Sequence, residues 1–134
     1  MKKKLSIKGF TLIELLVVIT IIAILSVIGL AIFSDTQKKA RDARRRSDIQ
    51  AIANVLETNY NGSTGQYPAS LNCLKFVTGT CPNDPINSGD YVYNNVVAAT
   101  GFTTCAKLEA GGGNSDNSTF GVAGISHYCR KNLQ

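Results

Sequence analysis

Glu14 stands inside a run of apolar residues, and four cysteines and a single histidine lie in the far half of the chain. These are the groups with chemistry to offer. A carboxylate one turn into an apolar helix is costly in lipid, so it marks a functional position that wants a cationic partner. The bland alternative is a carboxylate near enough to the headgroups to stay wet. For enzymatic work the inventory is thin. Neighbouring strand residues point to opposite faces, so Ser126-His127 is not expected to form a triad, and a lone strand histidine is usually packed or at the surface. Cys73, Cys81, Cys105 and Cys129 are separated by 7, 23 and 23 residues. No C-x-x-C occurs, which argues against a zinc ribbon or a thioredoxin-type centre. Two disulfides explain the thiols better than nucleophiles do. Of the three pairings, Cys73–Cys81 would close a short loop and Cys105–Cys129 would tie two strands; these are preferred.

The elements that must carry these groups follow from charge and hydropathy. The chain has 134 residues, 14 Lys+Arg against 9 Asp+Glu, a net charge of +5, and 44% hydrophobic residues. Four of those positive charges are Lys2, Lys3, Lys4 and Lys8 in residues 1–9. Residues 60–134 carry four bases and four acids, so the second half offers no basic stripe for nucleic acid. Residues 10–33, FTLIELLVVITIIAILSVIGLAIF, hold one ionisable group in 24. At about 1.5 Å per residue this is long enough to cross a bilayer core of roughly 30 Å as a helix. A secretory signal has a shorter apolar stretch and a small-x-small site, which Ala31 and Ser34 could imitate; the helical pattern beyond favours retention. The lysine tip is expected in the cytoplasm, with Lys38–Arg46 weighing the other way.

Lys8-Gly9-Phe10-Thr11-Leu12-Ile13-Glu14 resembles the leader of type IV pilins and type II secretion pseudopilins. Leader charge, Gly before the cut, Phe after it and Glu at the fifth place coincide at fixed spacing. The resemblance implies that a membrane-embedded aspartic prepilin peptidase cuts between Gly9 and Phe10 and that the new amino terminus is N-methylated. It also supplies a partner for Glu14: the α-amine of Phe10 in a neighbouring subunit, which would neutralise a charge otherwise stranded in an apolar medium. Gly65-Gln66-Tyr67-Pro68 matches a Gly-x-Tyr-Pro common in the family. The sequence departs from the family in having no proline before Pro68, so melting of the apolar helix would rest on Gly29, Ser26 or Thr20.

One helix is predicted from about residue 10 to about 60. Its apolar half, 10–33, would be the transmembrane and filament-core segment, and 34–61 its amphipathic continuation. Ile49, Ile52, Ala53, Leu56 and Tyr60 fall at helical spacing as one apolar stripe. Asp35/Lys39 and Asp42/Arg46 sit four apart on an exposed face. The run KKARDARRRSD reads as that solvated face, ahead of an anionic-lipid or nucleic-acid patch and of charge pairing between subunits. Residues 62–134 form a disulfide-stabilised head with strands expected over 91–99, 102–109 and 119–129. The fold class is therefore α+β: a long helix with a small antiparallel sheet on its carboxy-terminal half. Asn61-Gly62-Ser63 and Asn117-Ser118-Thr119 match a glycosylation sequon, as Asn/Ser-rich loops do by chance.

The stretch Cys81-Pro82-Asn83-Asp84-Pro85, followed by Ser88-Gly89-Asp90-Tyr91, resembles the Asp-Pro loop of major pseudopilins, near which calcium binds. Asp84, Asp90 and Asp116 are oxygen ligands of suitable hardness. Plain turn formation accounts for the same residues more simply, and Ile86 replaces the tryptophan often seen there. The expected function is structural: a pilin cut after Gly9, exported and polymerised through its helix, with Glu14 setting register. The expected partners are copies of itself, the peptidase, the assembly machinery and, before assembly, the membrane. It would sit single-pass in the cytoplasmic membrane and then in a surface filament. A type II secretion pseudopilin and a monomeric membrane-anchored binding protein are the alternatives. Loss of residues 1–9 would leave ten bases and nine acids, so most of the +5 is leader charge.

Overall fold

The computed structural model describes residues 9–116 and 124–133. The basic leader positions 1–8 and the second sequon, Asn117-Ser118-Thr119, lie outside the described residues. One α-helix, α1 (Leu12–Thr58), is followed by a 3-10 turn (Cys73–Lys75) and three strands, β1 (Asn94–Ala98), β2 (Gly101–Lys107) and β3 (His127–Lys131). The chain divides into two compact units, Met1–Thr36 and Gln37–Gln134.

In the first unit the large apolar side chains from Phe10 to Phe33 are solvent-exposed in the isolated chain. This part of α1 is long and apolar enough to cross a membrane. Its few hydroxyls are satisfied internally. Thr20 Oγ1 donates to the Val17 carbonyl, Ser26 Oγ to Ile22 and Thr36 Oγ1 to Ile32, each at 2.8 Å. No hydroxyl of the three then needs water, which matters in hydrocarbon, where none is available.

In the second unit the predicted stripe is the core. Ile49, Ile52, Ala53 and Leu56 are buried with Tyr67, Phe102 and Ala106, and Tyr60 packs against them. The sheet is antiparallel in the order β1-β2-β3. Asn94 is opposite Cys105, and Cys105 opposite Cys129. Phe102 and Ala106 point toward α1 because alternate strand residues share a face. Where the chain leaves α1, Gly65 has φ +67°, a left-handed conformation open to glycine at little cost. That turn delivers Tyr67 into the core, edge-on to Phe102 with ring centres 5.3 Å apart. The Gly-x-Tyr-Pro match is thus a turn-and-plug device.

The strand expectations need one correction. The third strand begins at His127, not near 119. Ser115 bridges His127, and Gly113 N–H donates to the Ile125 carbonyl at 2.9 Å. The backbone before His127 therefore pairs with its own preceding loop, and residues 117–123 lie outside the described residues.

Candidate functional site

The helix starts at Thr11, two residues past Gly9. Thr11 N–H and Thr11 Oγ1 both donate to Glu14 Oε2, at 2.8 and 2.7 Å. Glu14 N–H in turn points at Thr11 Oγ1, at 3.3 Å. This is a reciprocal capping box, in which two helix-start donors that have no intrahelical partner are satisfied by side chains. The sequence carried the signal, Thr-x-x-Glu before an apolar run, but its weight as a membrane carboxylate masked its weight as a cap. Glu14 Oε1 has no partner among the described residues. Phe10 is exposed next to it. Gly9 has no atom within 4 Å of the place a Cβ would occupy, and its φ is not in the left-handed region. Nothing among the described residues requires glycine there.

In the basic run of α1, Lys39 and Arg44 are exposed as expected of a solvated face, but Arg41, Arg45 and Arg46 bind the head. Arg45 is fully buried. Its guanidinium binds three carboxylates: Asp84 at 2.6 Å (Nε–Oδ2) and 3.0 Å (Nη2–Oδ1), Asp42 at 2.8 Å, and Glu109 at 2.6 Å. Arg41 forks onto Glu109 at 2.7 and 2.6 Å. Arg46 donates to the carbonyls of Gly111 and Gly112 and lies over the Tyr128 ring. The acids of the same stretch work alike. Asp42 accepts from Glu109 and Ala110 N–H, Asp48 from Tyr93 Oη, and Glu57 from Tyr67 Oη and Leu133 N–H. Charge pairing within the chain, on either side of the apolar stripe, thus fastens the head to α1. No buried side-chain nitrogen or oxygen lacks a partner among the described residues.

This network also decides the place of the aspartates read as calcium ligands. Burial alone would raise the Asp84 pKa, but Arg45 and the Ile86 N–H outweigh it and hold the carboxyl below its ordinary range. Asp90 pairs with Lys107 at 2.7 Å. Each carboxylate already has a cation of this chain, and no three His, Cys, Asp or Glu side chains cluster as a metal set among the described residues. Asp116 contributes its backbone carbonyl, which accepts from Ser126 Oγ at 2.7 Å. Asp84 is held by the Arg45 guanidinium and accepts from Ile86 and Asn87 N–H, so it closes a turn and docks it on α1.

The cysteines form the two preferred pairs, Cys73–Cys81 and Cys105–Cys129. Ser126 and His127 do touch, contrary to the opposite-faces expectation, because Ser126 precedes the strand. Ser126 Oγ and His127 Nδ1 are 2.8 Å apart. Ser126 Oγ also donates to the Asp116 carbonyl at 2.7 Å.

Against known proteins, residues 5–30 match the prokaryotic N-terminal methylation motif. No curated protein and no solved structure matches the chain. The matched segment spans the Gly9–Phe10 junction, the Thr11–Glu14 cap and most of the exposed apolar helix. It is a prepilin-type leader, as in type IV pilins and pseudopilins, and it indicates a pilin- or pseudopilin-like precursor.

Proposed function

We propose that this chain is the precursor of a pilin, the subunit of a type IV pilus-like filament. Prepilin peptidase cuts between Gly9 and Phe10, the new terminus is methylated, and the subunit waits in the cytoplasmic membrane, held by residues 10–33. Assembly machinery then moves it into a helical homopolymer at the cell surface. The observation that carries this reading is the continuous exposed apolar surface of residues 10–33 behind a methylation motif. Such a surface needs either lipid or identical neighbours. Packed copies would bury it and bring each Phe10 α-amine toward the open Oε1 of a neighbouring Glu14.

A pseudopilin of a type II secretion system would use the same leader and the same chemistry of assembly. A monomeric anchored protein is favoured by one observation, that Thr11 already satisfies one oxygen of Glu14 within the chain. Two measurements test the proposal. The mature protein should begin at Phe10 by intact mass and amino-terminal fragmentation, and sheared cell surfaces should yield filaments containing it. A mature terminus elsewhere would defeat the family reading. Correct processing with no filament, together with failed secretion on deletion, would shift the role to the secretion pseudopilus.

A further inference from the structure

The outer face of the sheet carries a cleft of about 400 Å³, a volume within the usual range of small-ligand sites. Its lining comes from all three strands and the preceding loop: Asp90, Val92, Asn94, Cys105, Lys107 and His127. Lys107 and His127 are directly paired across β2 and β3, and Asn94 is opposite Cys105 across β1 and β2. None of this lies on the face packed against α1.

The polar groups that face this cleft are a balanced set. Lys107 Nζ gives one hydrogen bond to Asp90 Oδ2 at 2.7 Å, and its other N–H groups remain for a ligand. Asp90 keeps Oδ1 as an acceptor. His127 brings its imidazole to the cleft, with Nδ1 2.8 Å from Ser126 Oγ. The Asn94 amide has no hydrogen-bond partner among the described residues and offers both a donor and an acceptor. Burial, with Lys107 nearby, pulls the His127 pKa below its ordinary value, which keeps the ring neutral. The cleft therefore has one positive and one negative charge, already paired. An anion would meet Asp90 and a cation would meet Lys107, each at a repulsive cost. A purely apolar ligand would leave Lys107 and Asp90 desolvated and poorly matched.

We infer that this cleft binds a neutral, hydroxyl-rich ligand, one or two uncharged sugar units of a glycan. Every sugar hydroxyl is donor and acceptor at once, which fits alternating Lys107, Asp90, Asn94 and His127, while Val92 supplies the apolar wall. This does not rest on the filament reading, because the cleft is built within one head.

The test uses the full-length protein in detergent on immobilised oligosaccharides, neutral, sialylated and sulfated. Retention on neutral glycans is expected, with apparent affinity falling at least tenfold in Lys107→Met and in Asn94→Ala. Arg44→Ala, outside the cleft, should bind as the parent does. Asn94→Ala removes a side chain without an internal partner, so it keeps the test decisive if Lys107→Met misfolds. Absence of neutral-glycan binding, stronger binding to the acidic glycans, or parental binding by Asn94→Ala would overturn the inference.

Discussion

Arg45 and Asp84 meet in a two-point ion pair, Nε to Oδ2 at 2.6 Å and Nη2 to Oδ1 at 3.0 Å, with both side chains out of water. The fork geometry is specific to arginine, and the same guanidinium also serves Asp42 and Glu109. A helix that looks solvated in sequence is thereby bolted to a loop 39 residues away.

Arg45→Ala leaves three carboxylates facing each other without their shared cation. Breaking one side of a buried pair costs about 3–5 kcal/mol. Arg45→Lys should recover only part, since an ammonium cannot make the fork. Urea unfolding of the full chain in detergent, followed by tyrosine fluorescence of the head, checks both. A loss below about 1 kcal/mol in Arg45→Ala would show that water replaces the guanidinium.

Acid should loosen the head over a defined window. Hydrogen bonds from Arg41, and then from Arg45, lower the Glu109 pKa from 4.5 to about 2. A depressed folded-state pKa gives stability that is present above the unfolded value and is lost as pH falls through the folded one. The Glu109 contribution to the urea midpoint should therefore be flat above about pH 4.5 and fall toward pH 2. Asp84, lowered for its own reasons, adds in the same direction. In Glu109→Gln the slope through this window should shrink; an unchanged slope would assign the acid limb to other groups.

Glu14→Ala should be cut after Gly9 as the parent is, yet yield no sheared filaments. Processing reads the leader and the junction, whereas packing must neutralise an amine in an apolar core. Filaments of normal abundance in Glu14→Ala would remove Glu14 from assembly.

Thr11→Ala should loosen the first turn of α1, since an N-cap is worth about 1 kcal/mol. Amide exchange at Glu14 N–H should quicken roughly fivefold in detergent, and Thr11→Ser should restore it. If Thr11→Ala leaves exchange unchanged, the capping box does not persist in that environment.

The two disulfides should differ in worth. By loop-closure entropy, removing Cys73–Cys81, with a separation of 8, costs about 2.5 kcal/mol, and removing Cys105–Cys129, with a separation of 24, about 3.5 kcal/mol. Double serine variants compared by urea midpoint would show the order. The reverse order would mean that the short loop supports the Asp84 docking segment beyond its own closure.

Much of this protein was legible in its residues because the signals were local. The apolar run 10–33, the Gly9-Phe10-Glu14 spacing and the stripe Ile49-Ile52-Ala53-Leu56 all act through neighbours along the chain or along one helix. Periodicity and charge report such neighbours directly. The destination of Arg41, Arg45 and Arg46 was not legible. A basic run on a helix reads the same whether it faces water or two carboxylates 39 to 68 residues away. Only the tertiary fold brings Asp84 and Glu109 to that face, and in doing so it turns part of an expected solvated face into a buried ion-pair seam. The same holds for His127, whose contact with Ser126 and place in the sheet-face cleft depend on where the third strand begins. Sequence determined that residues 10–33 make a segment long and apolar enough to cross a membrane, because hydrophobicity is additive along a segment. Structure decided how the head is held and what its surface offers, because ion pairing and clefts depend on residues distant in the chain.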